Sequence, residues 1–315
     1  MENKYLFGGF YGLVYFLEGM LITYFTGFNI LYMRTFGLSF TSIGLISSVV
    51  LIPFVLKIFI GLFSDSVNLF GLGHRKPLIF FGLLLEGGMV VFVPFLSPVT
   101  GLVSFTALLF AVAFGMSMFD TATDGLALDT TPENLRGFVQ GLMVGGRSVG
   151  AVIAAVSIGY ITHYWGWKPV FWGIGAVTLL PLAWFAMLPA EGARPAQREF
   201  HLSAFKSFIS WPVAFLVLVG FLYTLAIYSV EGIVNAFLKE GLGITMLNVG
   251  FITAIFGIGT AVGAALGGTF LDRIGHKPSL FAALIFSTVT ILLIAATSGL
   301  SVAYVLLFQI GRAHV

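Results

Sequence analysis

Nine stretches of this chain are apolar over about the 20 residues that a helix needs to cross a bilayer, and a tenth begins near residue 301. None of them alternates with a period of two, which disfavours a β-barrel. Hydrophobic residues make up 58% of the chain and charged residues 9%, against roughly 25% charged in soluble domains. The sequence therefore predicts an all-α polytopic membrane protein. The predicted helices lie near residues 5–32, 43–63, 78–97, 102–128, 137–162, 169–188, 211–238, 247–271 and 279–297.

Two of the connecting loops share the pattern Gly-x-Phe-x-Asp followed by basic residues and a proline, which indicates a duplicated membrane protein. A carboxylate placed among helix-end amides and cations can latch two helices together, and its release would let one bundle rock against the other. Alternatively, the basic residues are ordinary anchors on the cytoplasmic side. The first copy contains Gly61, Asp65, Arg75 and Lys76, and the second contains Gly268, Asp272, Arg273 and Lys277.

Lysine and arginine are distributed unequally between the two sets of loops, nine against three. This asymmetry predicts a cytoplasmic N-terminus. We expect the protein in the plasma membrane (cell inner membrane). The longest polar stretch, 189–210, is predicted to be a cytoplasmic linker between an N-terminal six-helix bundle (1–188) and an incomplete C-terminal bundle (211–309). We expect a monomer in the lipid bilayer. The more basic side carries Lys4, Arg75, Lys76, Arg136, Arg194, Arg198, Lys206, Arg273 and Lys277, and the other carries Arg34, Lys168 and Lys239.

The two ends of the chain call for separate interpretations. The first apolar segment is too long for a signal-peptide core and has no small-residue cleavage site, so we predict a retained helix. Residues 310–315 match the translation of a common sequencing adapter. We therefore predict that this tail is an artefact and that the natural chain was cut inside its tenth helix.

Several ionisable residues fall inside the predicted helices, where each charge costs at least about 2.5 kcal/mol and so requires a reason. Asp120 and Asp124 are four residues apart and share a helix face. At 1.5 Å per residue, Lys57 and Arg147 come to similar depths, so an acid–base cluster is possible. Glu18 lies halfway along the first helix without a charged neighbour in sequence, so it either faces water or carries a proton.

Two interpretations of these charges remain open. In the functional one, Asp120 and Arg147 line a central aqueous cavity, where a buried carboxylate exchanges a proton and an arginine holds an anionic substrate. Glu18 would then take part in substrate contact or proton coupling. In the structural one, the charges form a satisfied ion pair and Asp124 is solvated near the membrane interface.

Other classes of function are disfavoured. The net charge of +2 is too small and too scattered for a nucleic-acid surface. The absence of cysteine removes thiolate metal sites and thiol nucleophiles, and we predict neither a metal nor a cofactor. The chain lacks the zinc-binding His-Glu-x-x-His pattern, which argues against an intramembrane enzyme. Pairs of glycines four apart, such as Gly141 with Gly145 and Gly146 with Gly150, predict helix-packing seams.

The two loop motifs resemble the signature loop of the major facilitator superfamily. The resemblance implies two six-helix bundles around a central cavity, alternating access, and about nine and a half of twelve helices in this chain. The first copy departs from the family pattern, because Ser66 replaces an arginine and six extra residues separate Asp65 from Pro77 compared with Asp272 to Pro278. The resemblance implies gating roles for Asp65, Arg75, Lys76, Asp272, Arg273 and Lys277.

A narrower resemblance concerns the charged helices. Their pattern is similar to the folate-biopterin transporter family, and related muropeptide permeases and bacteriochlorophyll-associated members share parts of it. This resemblance implies functional roles for Lys57, Asp120, Asp124 and Arg147. The residues that carry it are Pro53-x-x-x-Lys57-x-x-x-Gly61-x-x-Ser64-Asp65, Asp120-x-x-x-Asp124 and Arg147-x-x-Gly150.

Together, residues and resemblance predict a secondary active transporter that moves a small organic, anionic, pterin- or folate-like solute in symport with protons. Two alternatives remain open: efflux of an amphipathic compound, and a pigment-assembly or scaffold member of the same fold.

Overall fold

We analysed a computed structural model of the chain. It describes the backbone of residues 4–185 and 210–275, together with single positions between 278 and 296. Within these ranges, the side chains of residues 4–7, 70, 223–231 and 264–274 are not described. The described ranges form eight long helices. They are α1 (Lys4–Thr23, the π-turn Tyr24–Phe28 and Asn29–Arg34), α2 (Phe40–Val50, Ile52–Val55 and Lys57–Ser66), α3 (Lys76–Val90), α4 (Leu102–Thr130), α5 (Arg136–Trp165), α6 (Lys168–Thr178 and Leu180–Phe185), α7 (Trp211–Gly241) and α8 (Met246–Ile274).

Within the described residues, six helices are long and apolar enough to cross a membrane: α1, α3, α4, α5, α6 and α8. The predicted all-α class is confirmed, and the helix boundaries agree with the sequence to within a few residues in most places. The predicted ninth and tenth helices, the linker after 188 and the tail 310–315 lie wholly or largely outside the described residues, so the predicted domain boundaries stay predictions.

Two helices that the sequence predicts to be continuous are interrupted next to a proline. α2 breaks at Leu51 and Leu56, on either side of Pro53, and α6 breaks at Leu179, just before Pro181. A proline lacks the amide hydrogen that the helix needs, and its ring collides with the preceding turn. Hydropathy alone does not detect these breaks, because the flanking residues remain apolar.

The loop between α2 and α3 accommodates the six extra residues of the first loop motif. Leu69–Gly71 forms a 3₁₀ turn, and Gly71 and Gly73 adopt positive φ angles of 72° and 117°, which side chains rarely tolerate. The Asn68 side-chain oxygen accepts a hydrogen bond from the Gly73 amide at 2.9 Å. The loop therefore has a defined turn and still places Arg75 at the start of α3.

Glycines allow α1 and α5 to cross at backbone contact. A methyl group added to Gly146 would clash with the Gly12 carbonyl, and one added to Gly150 would clash with the Phe16 carbonyl. Residue numbers rise together along both helices, so α1 and α5 are parallel. In contrast, a methyl group added to Gly145 would meet no heavy atom within 4 Å among the described side chains. Of the two glycine pairs named above, Gly146 and Gly150 form a packing seam within the described residues.

A second glycine crossing joins α5 to α8. A methyl group on Gly159 would lie 2.6 Å from the Gly250 Cα, whereas one on Gly257 would lie 3.3 Å from the Val152 side chain. Numbers rise along one helix as they fall along the other, so these helices are antiparallel. The end of α8, at Ile274, therefore lies on the same side of the molecule as the start of α5. Both loop motifs are on that side, which we call the inner side.

We predict that the α1–α5 crossing cannot accept a side chain. Gly150→Ala should lower the free energy of unfolding by about 1–3 kcal/mol, because the added methyl group forces the two backbones apart. The measurement is the thermal unfolding midpoint of the purified protein in detergent. Gly145→Ala is the matched control and should not lower the midpoint. Equal stability of the two variants would contradict the crossing.

Candidate functional site

Lys57 and Asp120 form an ion pair between α2 and α4. Asp120 is nearly buried, with 4% of its side chain exposed, whereas 35% of the Lys57 side chain remains exposed. The Lys57 ammonium also lies 5.3 Å from the centroid of the Phe54 ring, a cation–π distance. The carboxylate is therefore held behind a cation that still reaches solvent.

Glu18 and Arg147 form a second pair of the same kind between α1 and α5. Their charged atoms are 3.4 Å apart, and the exposed fractions are 4% for the Glu18 side chain and 43% for Arg147. The second carboxylate oxygen of Glu18 is buried and has no hydrogen-bond partner among the described residues. No partner for Glu18 could be predicted from the sequence, because partners on different helices depend on how each helix is rotated.

The predicted four-residue cluster is realised only in part. No described hydrogen bond or ion pair joins Asp120 to Arg147 or Asp124 to a cation. Instead, Asp124 is exposed and accepts a hydrogen bond from the Tyr15 hydroxyl of α1. Tyr15 was missed in the sequence, although it lies three residues before Glu18 and so shares its helix face.

The side of α5 that carries Arg147 can be identified from its neighbours. Val149, Ile153 and Tyr160 lie on one side of the helix, are apolar and are about half exposed, as expected for residues that face lipid. At 100° per residue, Arg147 lies roughly opposite Val149. Arg147 therefore lies on the opposite side of α5 from Val149, a side on which Val144 is also half exposed.

The sequence around Arg147 also contains the letters of a catalytic motif. Gly146 to Gly150 reads Gly-x-Ser-x-Gly, the letters of the hydrolase nucleophile elbow, which requires a strand, a sharp turn and a helix. Here the five residues lie inside the continuous helix α5, and the Ser148 hydroxyl donates to the Val144 carbonyl at 3.0 Å. These glycines serve helix packing, not a nucleophile.

Arg75 is the centre of the first loop motif. Its guanidinium donates to Asp65 at the end of α2, to the Ser64 hydroxyl at 3.0 Å and to Asp129 at the end of α4 at 3.4 Å. Arg75 is 6% exposed, whereas its partners Asp65 and Asp129 keep 37% and 30% of their side chains exposed. A side chain at Gly125 would occupy the position of the guanidinium. Arg75 thus joins three helices at the inner side.

The remaining residues of the two loop motifs are less informative. Lys76 is 8% exposed, and Gly61 packs near Thr121 of α4. Gly268, Asp272 and Arg273 lie on the last turns of α8, which is followed by Gly275 at a φ of +84°. The side chains of these three residues, and Lys277 altogether, lie outside the described residues. A latch in the second copy therefore stays a prediction.

Comparisons with known proteins agree with this architecture. The sialic acid transporter NanX of Escherichia coli (strain K12) is 26% identical over 231 residues, which are 72% of this chain and 55% of NanX. The folate-biopterin transporter of Synechocystis sp. (strain ATCC 27184 / PCC 6803 / Kazusa) is 31% identical over 192 residues, 59% of this chain and 37% of that protein. The chain thus spans about half, or less, of these relatives.

A solved structure and a family profile extend the match to nearly the whole chain. A variant of the nucleoside transporter NupG superimposes with a TM-score of 0.80 over 98% of this chain and 80% of NupG, at 14% identity. At that identity the likeness shows a shared fold. The profile of the Major Facilitator Superfamily matches residues 11–313. The chain therefore belongs to the Major Facilitator Superfamily.

Proposed function

We propose that this protein is a secondary active transporter of the plasma membrane (cell inner membrane) and not an enzyme. It moves a small organic solute by alternating access, with its N-terminus in the cytoplasm. The proposal rests on two ion pairs, Lys57–Asp120 and Glu18–Arg147. In each pair the acid is buried and the cation is partly exposed. Membership of a family that includes solute transporters supports it.

The arrangement favours an anionic solute. Lys57 and Arg147 reach solvent, whereas their acidic partners are nearly buried, so a solute in the cavity meets positive charge first. A guanidinium can bind a carboxylate through two parallel hydrogen bonds. Two of the matched relatives are a sialic acid transporter and a folate-biopterin transporter. Sialic acid and folate carry carboxylates, so a carboxylated, pterin- or folate-like solute fits the site.

The same pairs provide a route to proton coupling. While Asp120 and Glu18 are ionised, they compete with an anionic solute for Lys57 and Arg147. A proton that neutralises either acid frees its cation for the solute, and solute binding in turn favours protonation of the acid. This reciprocity is a thermodynamic requirement for two ligands that are coupled through one site. Proton and anion would then cross together, which is symport.

Arg75 is proposed to act at the inner gate. It ties α3 to the ends of α2 and α4, so a rearrangement at this side must break its charged contacts or carry all three helices together. Breaking these contacts is costly, since the buried Arg75 guanidinium would lose its charged partners. The loop is therefore suited to move as one unit with its bundle.

The transport proposal predicts uptake of radiolabelled folate or sialic acid into proteoliposomes that contain the full-length protein, driven by an inward proton gradient. Asp120→Asn should reduce gradient-driven uptake at least about tenfold, because Lys57 loses its titratable competitor. Solute counterflow, which needs no net proton movement, should persist and would show that the variant is folded. Glu133→Gln, at a surface position, is the control and should transport normally.

Different failures of this experiment would have different meanings. Uptake that ignores both the imposed gradient and a protonophore would rule out proton coupling but leave transport intact. Absence of flux for folate, sialic acid and biopterin would favour the scaffold alternative. Flux directed only outward would favour efflux.

The proposed preference for anions predicts that loss of Arg147 affects the uptake of solutes with a carboxylate more than the uptake of solutes without one. Arg147→Gln should weaken uptake of folate and sialic acid by about tenfold or more, because their carboxylates lose a charge-assisted partner. Biopterin has no carboxylate and should be affected far less. The comparison is made on initial uptake rates in one preparation. An equal loss for all three solutes would contradict a carboxylate-binding role.

We call the contacts of Arg75 with Asp65 and Asp129 the inner latch. If the latch acts in transport, Gly125→Ala should have the same effect as loss of Arg75. The added methyl group would displace the guanidinium from Asp65 and Asp129, so uptake should slow several-fold, as it should in Arg75→Gln. Gly137→Ala, at the same side but with no described heavy atom within 4 Å of the added methyl, is the control. Normal uptake by Gly125→Ala would contradict the latch.

A further inference from the structure

Asp124 of α4 lies beside the two ion pairs, yet among the described residues no cation contacts it. Its side chain is exposed, and its one described hydrogen bond comes from the Tyr15 hydroxyl of α1. The two oxygens of a carboxylate accept up to about four hydrogen bonds, so Asp124 retains most of its capacity. A charge inside a spanning helix is costly and needs a partner, which here is water or a bound molecule.

Two tyrosines of α1 hold this part of α4 in place. The Tyr15 hydroxyl donates to Asp124, and the Tyr11 hydroxyl lies 2.6 Å from the Thr130 hydroxyl. The Tyr15 ring packs against the buried core of the bundle, so its hydroxyl has a fixed position. The carboxylate of Asp124 is therefore oriented before any ligand arrives, which lowers the entropic cost of binding one.

Asp124 belongs to the same site as the cations of the two ion pairs. One helical turn, about 6 Å, separates it from Asp120, which pairs with Lys57. Lys57 and Arg147 are the described cations whose charges act on Asp124 at longer range. The site thus contains partly exposed cations and, about one turn away, an acid that is open to water. A ligand that fills it would meet groups of both signs.

An oriented carboxylate with free lone pairs is complementary to two N–H donors that lie side by side. Such donors form two parallel hydrogen bonds to the two oxygens, as an arginine does. A pterin ring has this arrangement, because its 2-amino group is next to its N3–H group. Sugar hydroxyls do not form a planar pair of this kind. The open acid therefore favours a solute with a pterin-like head over other small organic anions.

We propose that Asp124 is a subsite that binds the amino edge of a pterin ring, with Tyr15 as its positioning residue. Asp124 accepts hydrogen bonds from the 2-amino group and from N3–H, while Arg147 remains available to a carboxylate elsewhere on the solute. The subsite rests on the proposed transport of a pterin- or folate-like solute and adds the contact that selects the ring. A site built to accept from a donor discriminates strongly against an analogue that lacks the donor.

Pterin and lumazine form a matched pair of ligands for the test. They share the fused ring, but lumazine has an oxygen in place of the 2-amino group and so places a carbonyl opposite one oxygen of Asp124. The dissociation constants of both are measured by equilibrium dialysis with the purified protein in detergent. The parent should bind pterin at least about tenfold more tightly, because lumazine loses a charge-assisted hydrogen bond and opposes two acceptors.

Asp124→Asn should invert this preference. An asparagine presents one acceptor and one donor, which match the N3–H and the carbonyl of lumazine but not the two donors of pterin. Lumazine should then bind about threefold or more tightly than pterin. Tyr15→Phe keeps the carboxylate but removes the hydroxyl that orients it, so the pterin preference should fall about two- to fivefold without inverting. Glu133→Gln, at an exposed position, is the control and should keep the parent preference.

Unfolding midpoints measured without ligand show which variants are folded. No binding of pterin by the parent, or equal binding of the two rings, would overturn the subsite and leave Asp124 as a solvated acid. A parent-like preference in folded Asp124→Asn would overturn it as well. If that variant does not fold, an unchanged preference in Tyr15→Phe has the same meaning.

The binding test also separates the subsite from the transport proposal, because it needs neither a membrane nor a gradient. An inverted preference in Asp124→Asn, in a protein that moves no solute into proteoliposomes, would support the subsite and refute transport. Normal uptake by a parent protein that binds the two rings equally would do the reverse.

Discussion

Hydrocarbon cannot solvate an ion, so each charge inside this protein must have a partner or a path to water. Both requirements are visible at the site. Asp120 and Glu18 are withdrawn from solvent and neutralised, whereas Lys57 and Arg147 are paired on one side and open on the other. In these two pairs the more exposed partner is the cation in each case, although the chain as a whole is close to neutral.

The glycine crossing of α1 and α5 brings the charges of Glu18 and Arg147 close together. Glu18 of α1 meets Arg147 of α5 because Gly146 and Gly150 let the two backbones touch at that level. Helices held apart by larger side chains would place the same two groups too far apart for an ion pair. In lipid, where apolar side chains gain little by meeting one another, such backbone contact is a principal source of helix association. Packing and electrostatics therefore depend on the same few small residues.

Much of the fold was predictable from the sequence, because the apolar lengths and the repeated loop are local patterns. The Asp65–Arg75 contact was predictable too, since a short loop brings the two residues together. In contrast, which residues of different helices pair with one another could not be predicted from the sequence. Glu18 with Arg147 and Tyr15 with Asp124 depend on the rotation and depth of separate helices, to which hydropathy is insensitive. The π-turn of α1 gives no hydropathy signal either.

Gly141 and Gly145, near the inner end of α5, would affect how fast a molecule that works by alternating access changes state. Neither residue has a side chain, so a helix that approaches them meets no α5 side chain that must reorder at these two positions. Surfaces of this kind can meet and part with little loss of rotamer entropy. Most of the barrier to switching would then come from breaking and remaking polar contacts, which leaves the exchange rate open to tuning by single hydrogen bonds.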